Sequence, residues 1–176
     1  IGSTVILVPQ FDAKRFDKLL TKYRPTIVAG VPTLFEALLT NKHMDNVDLS
    51  YVKYAISGGD SLVPEKNEAV NKFFKSHGAN ISIVQGYGMT EFSPRISANV
   101  RGHIKKNSVG VLIPGCEAKI EDGEILVKGK SRMIGYYKDE QATSEAINGE
   151  WLRTGDLGYV DEDNYVFITG RKKNLI

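Results

Sequence analysis

Four short stretches carry residue types suited to a phosphate-bearing ligand. In VQGYGMTEFSP (84–94), Thr90 and Glu91 stand side by side just after two glycines. Glycines at a strand end let the backbone approach a flat or charged ligand. Tyr87, flanked by Gly86 and Gly88, can offer its ring face to a purine. Thr90 can donate to a phosphate oxygen. Glu91 is a poor direct neighbour of phosphate unless a divalent cation such as Mg²⁺ lies between them. SGGD (57–60) supplies a second glycine pair, TGD (154–156) sets Asp156 after a glycine where it could grip a vicinal diol, and GRKK (170–173) adds the forked donors of Arg171.

Each stretch alone has a plainer reading. SGG and TGD are common turns, and GRKK is an ordinary solvated basic end. YGMTE is the least ordinary, because tyrosine, threonine and glutamate after glycines share no packing purpose. Other motifs fail on spacing. VKGKS ends like a Walker A loop, but Gly123 and Gly129 are one position too far apart and no helix follows. GYGMTE has Glu91 where a dinucleotide fingerprint needs its third glycine. DEDN lacks the rest of an EF-hand loop, Asn80-Ile81-Ser82 is a sequon inside an expected buried strand, and no Gly-x-Ser-x-Gly elbow exists.

The elements that must position these residues follow from periodicity. TVILVPQF reads as a buried strand, and DAKRFDKLLTKY as a helix with Phe16, Leu19, Leu20 and Tyr23 on one face. PTIVAGVP is a second strand whose closing proline opens the helix TLFEALLTN. VKYAISGGD is a third strand. PEKNEAVNKFFKSHG is a helix with Pro64 in its first turn and Gly78 at its end, and ANISIVQGYG is a fourth strand. Such alternation predicts a parallel sheet with right-handed crossovers, whose ligands gather beyond the carboxyl ends of its strands. After about residue 106 the texture changes. VGVLIPGCEAKIEDGEILVKG alternates around the hairpin signal Asp122-Gly123, one short helix follows at DEQATSEAI, and GEWLRTGDLGYVDEDNYVFITG again reads as strands. The expected fold class is α/β: a mostly parallel sheet with flanking helices over 1–106, then a small antiparallel β-barrel-like subdomain over 107–170.

Composition sets limits. With 41% hydrophobic and 25% charged residues the 176-residue chain can bury a core. A net charge of +2, spread along the chain, gives no footing for nucleic acid as a partner. The single cysteine, Cys116, suits a reducing compartment, and the scattered His43, His77 and His103 have no ligand spacing. There is no membrane-length apolar run and no signal peptide. The chain starts at Ile1 and stops at Ile176 in mid-phrase, so it reads as a piece of something longer, with a cytoplasmic location expected and peripheral membrane association of the whole protein left open.

The order of these motifs carries a resemblance. YGMTE, GEILVKGKSRMIGYYKDEQAT, GEWLRTGD and GYVDEDNYVFITGRKKNLI match, over nearly the whole chain, the successive motifs of the adenylate-forming superfamily of acyl-CoA synthetases, peptide-synthetase adenylation domains and luciferases. YGMTEFSPRISAN followed by SVGVLIPGCEAKI is most similar to fatty acyl-CoA ligases. The resemblance implies that Gln85, Gly86 and Tyr87 border adenine, with Gly58 and Gly59 on its other side. It sets Thr90 at the α-phosphate and Glu91 at Mg²⁺, so that these two are the candidate catalytic residues. It gives Asp156 both ribose hydroxyls, with Arg171 assisting there. Gly30, Val31, Gly88 and Met89 are implied at an apolar acyl channel. Lys173 falls at the family's hinge, making 171–176 the start of the link to a mobile C-terminal domain. Asp60-Ser61 departs from the small neutral residue, often followed by proline, usual at that place.

The implied reaction has two steps. A carboxylic acid attacks the α-phosphorus of ATP to give acyl-AMP and pyrophosphate, and a thiol, that of coenzyme A, then takes the acyl group. The family's lysine-bearing phosphate loop is expected before Ile1 and its C-terminal domain after Ile176, so this piece alone is expected to be inactive. Two other readings stay open: an amino-acid adenylation domain feeding a carrier protein, and a non-catalytic nucleotide-binding scaffold on the same fold. Acyl chain length cannot be read from these letters, because one methylene changes binding by only ~1–3 kcal/mol.

Overall fold

A computed structural model describes residues 2–9, 11–60, 62–100 and 102–174. The expected strand over 4–11 is absent among the described residues, and Gln10 within it lies outside them. A strand exists only by pairing, and this stretch finds no ladder: Val5 is 77% and Leu7 84% exposed. The chain first becomes regular at α1 (Phe16–Tyr23). On its expected apolar face Leu20 is fully buried, Phe16 and Leu19 are half-buried and Tyr23 is exposed. Strand β1 (Ile27–Gly30) leads to α2 (Pro32–Thr40), β2 (Tyr54–Ser57) to α3 (Pro64–Ser76), and β3 (Ile83–Tyr87) follows. Both prolines sit at helix starts, where a missing N–H costs nothing. Gly78 leaves α3 with φ +84°, a left-handed turn that suits glycine.

The described chain forms two compact units, which cut it elsewhere than the change of texture at 106 does. One comprises the residues up to Ala55 together with Val63–Ile83, and the other Ile56–Leu62 together with the residues from Val84 onward. In the first unit the core is built from Leu20, Val28, Phe35, Leu38 and Phe74, with the rings of Phe35 and Phe74 edge to face at 6.4 Å. Its helix ends are tied by side chains: the Tyr51 hydroxyl donates to the Leu20 carbonyl at 2.8 Å.

One sheet runs in the order β1-β2-β3-β4-β5, where β4 is Ser97–Ala98 and β5 is Val111–Leu112. β1, β2 and β3 are joined through helices, the connection that parallel neighbours need. β4 and β5 run antiparallel, with Tyr87 opposite Ser97 and Ser97 opposite Leu112. The sheet is therefore mixed at this edge.

The second unit also holds an antiparallel sheet. Strands β6 (Cys116–Glu121) and β7 (Glu124–Gly129) form a hairpin whose two turn residues, Asp122 and Gly123, have φ +51° and +77°. Positive φ at both central positions is the tight turn that Asp-Gly predicts. Helix α4 (Glu140–Ala146) is capped by the Asp139 side chain, which accepts from the Ala142 N–H. Strands β8 (Ile147–Asn148), β9 (Trp151–Val160) and β10 (Val166–Arg171) complete the order β10-β9-β7-β6, with β8 on β9. Phe92, Ile96, Ile125, Val127, Leu152 and Val166 fill the core, with Tyr87, Met89, Leu112 and Ile168 packed around it. The hydrophobic burial that holds this unit together thus reaches directly from the residues after β3 to the second sheet.

Candidate functional site

The site in the second unit is built around Asp156. The pairing of β9 with β10 places Arg171 directly opposite Asp156, just past a bulge between Ile168 and Gly170. A bulge re-aims side chains at a sheet edge. Gly155, with φ +73°, takes a conformation that a residue with Cβ adopts only under strain, and so turns the chain into Asp156. The carboxylate is held on both oxygens: Oδ1 accepts from Arg171 Nε at 3.0 Å and Oδ2 from the Tyr87 hydroxyl at 2.7 Å. Asp156 is 5% exposed. A carboxylate has about four acceptor positions, so after these two bonds it can still accept one donor on each oxygen. Its arrangement is ready to receive two neighbouring hydroxyls without first reorganising. Burial raises the Tyr87 hydroxyl well above its ordinary pKa, with the Asp156 bond adding to that, so the phenol stays protonated and remains a donor.

Below this corner sits a carboxylate that the sequence reading did not single out. Glu124, in β7, is 2% exposed. Its Oε1 accepts from the Gly155 N–H at 3.0 Å, while Oε2 accepts from Lys172 Nζ at 2.9 Å and from Arg153 at 3.1 Å. Burial works to raise its pKa, but the Lys172 ammonium, the Gly155 amide and Arg153 outweigh it and hold the carboxyl below its ordinary value of 4.5. The available signal was its place: a charged residue opening the apolar run EILV immediately after the hairpin turn.

The other loop is framed by backbone needs. Gly88 is required by the fold itself, because a Cβ there would overlap the Pro94 carbonyl where the chain doubles back. At Gly58 nothing lies within 4 Å of an added Cβ and φ is not in the left-handed region, so the packing of the chain does not demand glycine there. Gln85 directs its side-chain oxygen to the Leu62 N–H at 3.2 Å and so anchors the segment after SGGD to β3. Thr90, exposed, and Glu91, half-buried, lie in the short 3-10 turn Thr90–Phe92. Glu91 Oε1 accepts from the Tyr136 hydroxyl at 2.9 Å, a partner that the sequence reading did not identify.

A pocket of ≈ 320 Å³ lies within this unit, and Gly59, Gly86–Gly88, Asp156 and Arg171 contribute to its wall. Asp60 lines it too, as do Gly170 and Asn174. Thus the loops SGGD and GYG, the TGD strand and the GRKK end share one hollow. Thr90, Glu91, Gly58, Gln85 and Met89 flank the lining residues in sequence but are not part of that wall. Gly30 ends β1 and Val31 caps α2 in the first unit. Lys173 lies in the 3-10 turn Lys172–Asn174; Ser61, Leu175 and Ile176 are outside the described residues. Among the described residues no three His, Cys, Asp or Glu side chains gather to hold a metal, and no helix is long and apolar enough to cross a membrane.

The chain has known relatives. The sequence profile of the AMP-binding enzyme family matches residues 1–137. A probable 4-coumarate–CoA ligase of Dictyostelium discoideum is 38% identical over 99% of this chain and 34% of its own length. A long-chain-fatty-acid–CoA ligase of Bacillus subtilis is 36% identical over the whole of this chain and 33% of its own length. Among solved structures, an anthranilate CoA ligase in complex with anthranoyl-AMP superposes with a TM-score of 0.89 at 25% identity, covering all of this chain and 36% of that one. The chain therefore spans about a third of the length of the relatives it matches. With a pocket walled by two glycine loops and a doubly held aspartate, and a profile match over most of its length, the chain belongs to the AMP-binding enzyme family.

Proposed function

We propose that the protein containing this chain is an ATP-dependent acid–thiol ligase that activates a carboxylic acid, a fatty acid in our reading, as acyl-AMP and passes it to coenzyme A. The observation that carries the proposal is Asp156, fixed between Tyr87 and Arg171 on the wall of the 320 Å³ pocket. Asp156 accepts both ribose hydroxyls of the nucleotide. Arg171 keeps the carboxylate aligned, and its exposed fork faces the same sugar. Gly86, Gly88 and Gly59 admit the flat base, because none of them presents a side chain that would fill the space, while the Tyr87 hydroxyl between them is tied to Asp156. Thr90 donates to an α-phosphate oxygen. By the resemblance Gly88 and Met89 are read at the acyl group, and Lys173 at the start of the hinge.

The residues present fit Mg²⁺ of the kind bound mainly through phosphates and water, which needs only one or two protein carboxylates. Glu91 meets that need: Tyr136 occupies one of its oxygens and orients the other. When bound, the ion offsets negative charge on the phosphates. The chain's own contribution is alignment. Holding the nucleotide by its ribose fixes the α-phosphorus relative to a weak carboxylate nucleophile and replaces a costly encounter by a bound geometry.

The reading of a fatty acid rests on the likeness of YGMTEFSPRISAN and SVGVLIPGCEAKI to that branch and on the B. subtilis relative. It is tested on the full-length protein with a panel of aliphatic, aromatic and amino acids, following pyrophosphate release and acyl-CoA mass. Acid-dependent pyrophosphate with a fatty acyl-CoA product is expected. Turnover of aromatic acids alone would move the substrate class, and release without any CoA adduct would point to another acceptor.

A further inference from the structure

Asp156 and Arg171 lie on neighbouring strands at places where both ladders are irregular, β9 against β7 near Glu124 and β10 against β9 near Gly170. Beyond the bulge the ladder sets Arg171 opposite Asp156, but only over the last two pairs of β10. Glu124, one strand further in, ties the residues that flank this pair. It takes the N–H of Gly155, the residue before Asp156, and the ammonium of Lys172, the residue after Arg171. Gly155, in its left-handed conformation, has its amide turned onto this carboxylate. Lys172 is 48% exposed at its side chain while its partner is 3% exposed, so the bond draws the end of β10 inward onto a buried anion. A buried carboxylate must be paired, and its pairing ties the donors to one geometry. The third partner, Arg153, three residues before Asp156 on β9, also bonds Glu121.

We propose that Glu124 is a positioning residue of the nucleotide site: through Gly155 on one side and Lys172 on the other it sets the distance and facing of Asp156 and Arg171, and it fixes the segment that leads into Lys173. The inference rests on the reading of Asp156 as the ribose ligand. Glu124 touches no substrate and acts only through its neighbours. Its two arms make different predictions. Glu124→Gln keeps an oxygen for Gly155 but loses the charge that holds Lys172. Lys172→Met removes the same link from the other end and leaves Glu124 paired with Arg153.

The test uses the full-length protein carrying Glu124→Gln, Lys172→Met and both changes together. The KM for ATP is expected to rise about tenfold in E124Q and about threefold in K172M, the range for loss of one ordinary hydrogen bond felt through its neighbours. The KM for the acid should stay within about twofold, since the acid makes no contact through this link. The double variant should be no worse than E124Q, because the two changes delete one bond. Amide exchange should quicken around 153–157 and 169–174 in E124Q while α2 and α3 stay as protected as in the wild type. Equal shifts in both KM values, a lowered melting temperature with KM values unchanged, or faster exchange throughout the chain would each overturn the inference. The exchange arm reads independently of turnover. Wild-type protein that turns over no acid would count against the ligase reading, while the local exchange change would still uphold the positioning role.

Discussion

Asp156 and Glu91, the two carboxylates proposed to serve the nucleotide and its metal, are held in opposite ways. Asp156 is 5% exposed, bonded on both oxygens and backed by Glu124, a second buried carboxylate. Glu91 is half-buried in a single 3-10 turn and receives the one hydroxyl of Tyr136, itself 40% exposed. The difference matches what each would meet. Ribose is the same in ATP, acyl-AMP and AMP, so its ligand can be rigid throughout. The phosphates change in number and charge across the first step, and a carboxylate near them has to tolerate rearrangement.

Mutations can break this contrast. The largest effect is expected from Asp156→Ala in the full-length protein. Two charge-assisted bonds of about 1.5–3 kcal/mol each would be lost, raising the KM for ATP by about a hundredfold or more with little change for the acid. An unchanged KM for ATP would remove the ribose assignment. Glu91→Gln should act on kcat, lowering it about thirtyfold and raising the Mg²⁺ concentration needed for half-maximal rate. If only the KM for ATP moves, Glu91 is a binding residue and the contrast fails.

Smaller changes sharpen it. Tyr87→Phe removes one bond to a buried carboxylate and keeps the ring, so the KM for ATP should rise about fivefold, worth roughly 1 kcal/mol. Tyr136→Phe loosens a partly exposed contact, and a rise of about twofold in the Mg²⁺ requirement is expected. If Tyr136→Phe proves more damaging than Tyr87→Phe, Glu91 is the more tightly organised of the two.

Much of this arrangement was legible in the sequence, for identifiable reasons. Pro32 and Pro64 mark helix starts because only those positions tolerate a missing N–H. Asp122-Gly123 fixes its hairpin because few residues accept two consecutive positive φ values. The glycine-rich strand ends, Asp156 and Arg171 stand out as candidates because their chemistry is local, and they line one pocket. What was not legible depends on pairing across the chain. VILV at 5–8 has strand composition but finds no partner among the described residues. Val111 and Leu112 pair with Ser97 and Ala98, fourteen or so residues back, which no local period announces. Glu124 reads as one more charge in an alternating strand, and its burial appears only when Gly155, Arg153 and Lys172 converge on it. Tyr136 is an aromatic in a loop, and nothing nearby in the sequence points to Glu91 forty-five positions earlier.

The central claim is that Asp156 recognises the two ribose hydroxyls. It is tested most directly by measuring the KM of the full-length protein for ATP and for 2′,3′-dideoxy-ATP, in wild type and in Asp156→Ala. Loss of both hydroxyls is expected to raise KM about a hundredfold in the wild type and hardly at all in the variant, since the partner is already gone. Equal discrimination between the two nucleotides in both proteins would contradict it.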